Sequence, residues 1–140
     1  MEALFRYVSG AMTGLLSLFA PVAPTVACAL LFIAVDFVTG VAASRASARR
    51  DGRKWYFESR EAWRTVFKAG FVMTAIAMSW LLECCVIDFI TLNLTKMFTG
   101  FVCGVEFWSF LENASQLSDA PLFAWLKRYV HRRIEREVEG

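Results

Sequence analysis

The sequence has one histidine, His131, four cysteines and three prolines in 140 residues, and only 20% of it is charged. Each scarcity excludes something. With no second histidine, there is nothing from which to build a histidine metal or catalytic cluster. The cysteines, Cys28, Cys84, Cys85 and Cys103, lie inside apolar runs and show no C-x-x-C spacing. Adjacent Cys84 and Cys85 are a poor start for a disulfide or a zinc site. All four read as small hydrophobes. H-E-x-x-H, a phosphate loop and a nucleophile–base pair are also missing. Neither enzymatic chemistry nor a cofactor or metal is expected.

What the chain has in excess is hydrocarbon. Apolar residues make up 57%, with 13 Phe and 5 Trp, and mean hydropathy is +0.46. Ordinary globular domains sit nearer ~45–50% apolar. A small soluble protein has too much surface to hide this much, and disordered chains are poor in aromatics. The composition therefore points to a membrane protein, and the length to one domain with little besides.

Net charge is only +2, but the charges cluster. Between Arg45 and Lys68 stand eight Lys or Arg and three acids: Arg45, Arg49, Arg50, Arg53, Lys54, Arg60, Arg64 and Lys68 against Asp51, Glu58 and Glu61. Lys127 to Arg136 holds five more basic residues. Basic segments between apolar stretches are the mark of cytoplasmic loops. Nucleic-acid binding, the other reading of a basic run, is set aside because apolar stretches flank both clusters.

A spanning helix needs ~20 mostly apolar residues at about 1.5 Å each. Four segments qualify: 3–20, 25–44, 65–90 and 97–113. The first is the weakest, because Arg6 sits near its start. Arg6 can snorkel to the interface, and Pro21 and Pro24 then force a turn. Glu2 and the lack of a small-x-small cleavage site before Pro24 argue against a removable leader. This segment either spans or lies along the interface. Positive-inside logic puts the 45–64 loop in the cytoplasm and the 88–96 link outside. The expectation is an all-α, multi-pass protein of the cytoplasmic membrane with four spans, or three if the first helix is interfacial. Residues 1–115 form the transmembrane domain. Residues 116–140 form a basic, amphipathic C-terminal helix in the cytoplasm, where Leu122, Trp125, Leu126, Tyr129, Val130, Ile134 and Val138 recur at helical spacing. Its Lys127, Arg128, Arg132 and Arg133 suit anionic headgroups, and packing against a neighbouring subunit is the plainer alternative.

Charges within the hydrocarbon are costly and mark function or an internal partner. Asp36 and Glu106 both fall near mid-membrane by helix rise, whereas Glu83 and Asp88 belong near the outer interface. On the last span Gly100 and Gly104 share one side, and Glu106, Ser109 and Asn113 cluster on nearly the opposite one. Gly-x-x-x-Gly favours close helix approach in membranes, and Gly10 and Gly14 repeat it. On the second span Ala29, Asp36, Gly40 and Ala43 share a face with Thr39 beside it. The polar groups need a protein partner or water. Either they hydrogen-bond to a neighbouring helix, or they line something hydrated.

Two elements carry a family resemblance. Asp36-Phe37-Val38-Thr39-Gly40 reads D-x-x-T-G, and Glu106 to Asn113 reads E-x-x-S-x-x-E-N; Ser59, Trp63 and Lys68-Ala69-Gly70 lie between. Over about residues 30 to 115 the chain resembles the phage holin family that includes the toxin-secretion holins. It departs in its long Arg-rich loop bearing Trp55, Tyr56 and Phe57, and in its amphipathic tail. The resemblance implies a homo-oligomer that permeabilises the cytoplasmic membrane, for phage lysis or for export of a cell-wall hydrolase or toxin. Gly10, Gly14, Gly40, Gly100 and Gly104 would then pack helices, and Asp36, Thr39, Glu106, Ser109 and Asn113 would line a hydrated interior. The rival readings are a small ion or proton channel or transporter subunit, and a pore-less adaptor for a cytoplasmic partner.

Overall fold

The computed structural model describes residues 2–87, 92–118 and 121–139. Asp88, expected at the outer interface, lies outside them. Most of the described residues are helical, with no strand among them. Helix α1 covers Glu2–Leu18, and a 3-10 turn, Ala20–Val22, leads into α2, Ala23–Arg50. Then follow α3, Ser59–Cys85, α4, Leu94–Leu117, and α5, Pro121–Glu139.

Helix α2 runs past the expected stop at Ser44. The residues beyond it, Arg45 to Arg50, include two alanines and three arginines, and both residue types favour helix. The helix ends where a left-handed residue is available. Gly52 adopts φ 65°. The Arg53 amide donates to the Ala48 carbonyl at 2.9 Å and the Gly52 amide to that of Arg49 at 3.4 Å. This is a Schellman ending. The irregular stretch is therefore only residues 51–58. Arg45, Arg49 and Arg50 belong to α2, and Arg60, Arg64 and Lys68 to α3, rather than to a loop. Of the expected loop cations, Arg53 and Lys54 alone are non-helical.

At about 1.5 Å per residue, α2 is about 42 Å long, α3 about 40 Å and α4 about 36 Å. Each exceeds the ~30 Å hydrocarbon core of a bilayer. Among the described residues, two stretches are long and apolar enough to cross a membrane, Ala20–Arg50 and Ser59–Cys85. Only 17% and 6% of their most apolar windows are buried inside the protein, unlike the core helix of a soluble domain. Leu31, Val38, Phe67, Phe71, Met78, Phe101 and Val105 all point outward. An apolar belt of that extent needs a non-aqueous surrounding.

Helices α2 and α4 make the most extensive contact, with α3 against both. Cys28 meets Cys103 and Asp36 meets Asn113, so α2 and α4 run parallel; α3, between them in sequence, runs the other way. The apolar core sits at the end of the bundle away from the 51–58 loop. Val22, Ala29, Ile76 and Val102 form it, flanked by Phe19, Val72, Trp80 and Phe98. The fully buried Ala29 lets α2 and α4 approach closely.

Among the described residues, helix α1 touches the bundle only through the 3-10 turn. Glu2, Arg6, Ser9, Thr13 and Ser17 fall along one stripe of it at helical spacing. Helix α5 folds back along α4, so that Val130 and Ile134 face Phe101, Gly104 and Trp108 across an apolar cavity of about 470 Å³. The expected apolar face of α5 thus divides. Trp125 and Tyr129 lie with Arg128, Arg132 and Arg136 around a separate cleft, while the side chains of Leu122 and Val138 lie outside the described residues.

Candidate functional site

Three helices each send a charged side chain to one point. Asp36 comes from α2, Lys68 from α3 and Glu106 from α4. The Lys68 Nζ donates to Glu106 Oε2 at 2.7 Å and lies 3.7 Å from Asp36 Oδ2. Asn113, two turns beyond Glu106, donates from Nδ2 to Asp36 Oδ1 at 3.0 Å. Both carboxylates thereby have partners, as buried charges must. The Glu106 side chain is 6% exposed and that of Asp36 14%, whereas Lys68 retains 41%.

Local sequence explains how the four groups meet. Asp36 and Gly40 are one turn apart on the same face of α2. A Cβ at position 40 would stand 3.3 Å from Asn113 Nδ2, tighter than a side chain readily tolerates. Gly40 therefore makes room for the amide that reaches Asp36. The Thr39 hydroxyl turns back onto its own helix, donating to the carbonyls of Val35 at 2.8 Å and Asp36 at 3.0 Å. Ser109 is half-buried on α4 and is not one of the cluster's hydrogen-bond partners. Beside the cluster lies an open cleft of about 360 Å³, lined by Asp36, Gly40, Glu61, Arg64, Lys68 and Asn113.

Of the polar residues singled out from the sequence, Asp36, Glu106 and Asn113 are thus brought together, and Thr39 and Ser109 are not part of that contact. The missed residue is Lys68, counted with the loop cations. Its signal was present. It lies within the apolar stretch that begins at Thr65, and two carboxylates at equal depth call for a cation at that depth.

A second carboxylate has a structural task. Asn93 opens α4 in the left-handed region, φ 50°, with no cap of its own. Glu83, from the last turns of α3, accepts the amides of Leu94 at 3.0 Å and Thr95 at 3.2 Å and the Thr95 hydroxyl at 2.6 Å. It satisfies the first free N–H groups of α4 and places negative charge at the positive end of the helix. At the other end Arg50 Nη1 donates to the Gln116 carbonyl at 2.9 Å, answering a free acceptor of the last turn.

The glycines divide too. Gly40 lies at a close contact, whereas a Cβ at Gly10, Gly14, Gly100 or Gly104 would meet nothing within 4 Å. Within one copy, those four glycines are not used for close approach. Around the 51–58 loop the basic residues mix with aromatic rings. The Arg45 guanidinium stands 5.9 Å from the Trp55 ring centre, Phe57 packs on Phe37 and Trp55, and Arg53 pairs with Asp51 at 2.6 Å. Aromatic rings beside basic residues are typical of a membrane–water interface.

A model of the bacteriophage holin family matches residues 11–132. The chain belongs to the bacteriophage holin family. That match spans α2, α3, α4 and most of α5, so the charged cluster lies wholly inside the holin region. With the apolar helices, it makes the chain a holin-like membrane protein. No curated protein and no solved structure matches the chain.

Proposed function

We propose that this holin-family chain oligomerises in the bacterial cytoplasmic membrane and permeabilises it, for phage lysis or for release of a cell-wall hydrolase or toxin. The observation that carries the reading is the Asp36–Lys68–Glu106–Asn113 cluster. Three helices that face lipid on the outside share charged groups on the inside. Paired as they are, these groups suit a closed resting bundle. Exchanging the pairs for water, as copies assemble, would give a hydrated lining of Asp36, Glu106, Asn113 and, from the same helix faces, Thr39 and Ser109. Gly10, Gly14, Gly100 and Gly104, open within one copy, are the proposed faces between copies. No catalytic step and no cofactor enters this mechanism.

For topology we propose three spans, α2, α3 and α4, within a holin-like unit of residues 1–115. The basic and aromatic residues around 45–64 favour the cytoplasm for the 51–58 loop, by the positive-inside rule. The α3–α4 link then faces outward, and the basic α5 unit, 116–140, returns to the cytoplasm. Helix α1, about 26 Å long with a polar stripe, suits an interfacial position better than a fourth span.

The test is made in a bacterial host expressing the protein. Membrane potential is followed with a dye, and release of a folded cytoplasmic marker enzyme is recorded in the same cells. Asp36→Ala and Glu106→Ala variants run in parallel. Depolarisation with marker release, altered in timing or extent by the variants, is the expected result. Depolarisation without release would favour a small channel. A membrane-inserted protein that changes neither signal would favour an adaptor.

A further inference from the structure

Away from the charged cluster, the structure places two thiols side by side. Cys28 on α2 and Cys103 on α4 are 75 residues apart in sequence, and their sulfurs are 3.9 Å apart. Both lie inside long helices, Ala23–Arg50 and Leu94–Leu117. Each stands next to a core residue, Cys28 beside Ala29 and Cys103 beside Val102, and Cys103 itself packs against that core. The packing that holds α2 and α4 parallel therefore also holds the thiols in register. A disulfide requires an S–S distance of about 2.05 Å, so the sulfurs need to close by about 1.9 Å. Rotation of the two side chains and a small shift of the helices would supply this. Cys28 is exposed on the bundle surface, where a reagent dissolved in the membrane can reach it. By the proposed topology this end of the bundle lies toward the outer face, the side on which bacterial thiols are oxidised. Cys84 and Cys85 differ: they are exposed neighbours on the last turn of α3, without a thiol on another helix beside them in the described contacts.

We propose that Cys28 and Cys103 form a thiol–disulfide modification site that staples α2 to α4. In the step, two thiols lose two protons and two electrons and one S–S bond forms. A two-electron oxidant of the diazene class takes up both protons and both electrons and becomes the hydrazine. The staple bears on the proposed function, and rests on it there, because opening the charged cluster to water requires α2 and α4 to shift. The reduced bundle can make that shift and the stapled one cannot.

The experiment uses the full chain in membrane vesicles, in a Cys84→Ser/Cys85→Ser background that removes cross-links from α3. Diamide, a membrane-permeant diazene, is the oxidant, and peptide mapping by mass spectrometry is the first readout. The expected product is one linked pair of peptides, bearing Cys28 and Cys103, within a monomer. It should be lost in Cys28→Ser and in Cys103→Ser and be reversed by dithiothreitol. If Cys28 and Cys103 both stay open to alkylation after diamide has cross-linked Cys84 or Cys85 in the parent chain, the site is overturned. Dye leakage is the second readout. Oxidation should suppress permeabilisation at least tenfold and reduction should restore it. A stapled protein that leaks as fast as the reduced one overturns the latch. A reduced protein that never leaks, but still forms the 28–103 link, overturns the pore reading and leaves the modification site standing.

Discussion

Replacing Lys68 by Met removes the cation that contacts both carboxylates of the cluster, Asp36 and Glu106, and keeps a side chain of similar length. Glu106, 6% exposed, loses its 2.7 Å partner, and Asp36 keeps only the Asn113 amide. Breaking a fully buried pair typically costs ~3–5 kcal/mol, because the remaining charge is left without compensation. Lys68 is 41% exposed, so part of the pair's strength is screened already. The expected loss is therefore about 2–3 kcal/mol, roughly 30- to 150-fold in the folded-to-unfolded ratio. Glu106→Gln should cost less, ~1 kcal/mol, because Lys68 still stands 3.7 Å from Asp36. In the double variant the more deeply buried carboxylate is gone and Asp36, 14% exposed, is still held by Asn113, so Lys68→Met/Glu106→Gln should recover most of the loss. The assay is unfolding in mixed detergent micelles titrated with dodecyl sulfate, followed by helical circular dichroism and closed as a double-mutant cycle. A Lys68→Met protein within ~0.5 kcal/mol of the parent, or a double variant as unstable as the summed singles, would refute the argument.

Three further outcomes follow from the same contacts. Glu83→Ala should loosen the start of α4 and cost ~1–2 kcal/mol in the same titration, as the loss of a charged cap does; amide exchange at Leu94 and Thr95 should rise selectively. Gly40→Ala should push the Asn113 amide away from Asp36 and cost ~1 kcal/mol, whereas Gly104→Ala, with open space around its Cβ, should leave unfolding unchanged and weaken self-association measured by cross-linking. Replacing Arg128, Arg132 and Arg136 by Gln should weaken binding of the full chain's tail to anionic headgroups by ~1 kcal/mol per charge. Fluorescence of a probe on α5 in vesicles with and without phosphatidylglycerol reads this, and equal signals in both lipids would discard the headgroup contact.

Some of the site was legible in one dimension. Asp36 and Glu106 stand alone in apolar runs, and helix rise puts them at one depth, so a shared environment follows without any structure. Gly40, one turn from Asp36, reads as a position of close approach, and Asn113 is what approaches it. Lys68 follows seven other basic residues within 24 positions, so its charge merges with theirs in the sequence. Its partners are 32 and 38 residues away in sequence. Glu83 reads as an interfacial charge, and nothing local marks it as a carboxylate that also caps another helix. The charge of the run from Arg45 to Arg50 suggests a loop, although its Ala and Arg content favours helix.

By itself the sequence determined that this protein is helical and lives in a membrane, and that carboxylates set within its apolar helices need partners. Those properties depend on hydropathy summed along the chain and on hydrogen bonds closed four residues apart, and both are local. Tertiary structure alone decided that α2 and α4 run parallel, that Lys68 answers both carboxylates, that Glu83 caps α4 and that Cys28 faces Cys103. Each of these depends on the register between helices. Register is set by side chains interlocking across the bundle, around Ala29, Ile76 and Val102, and no spacing along one helix encodes it.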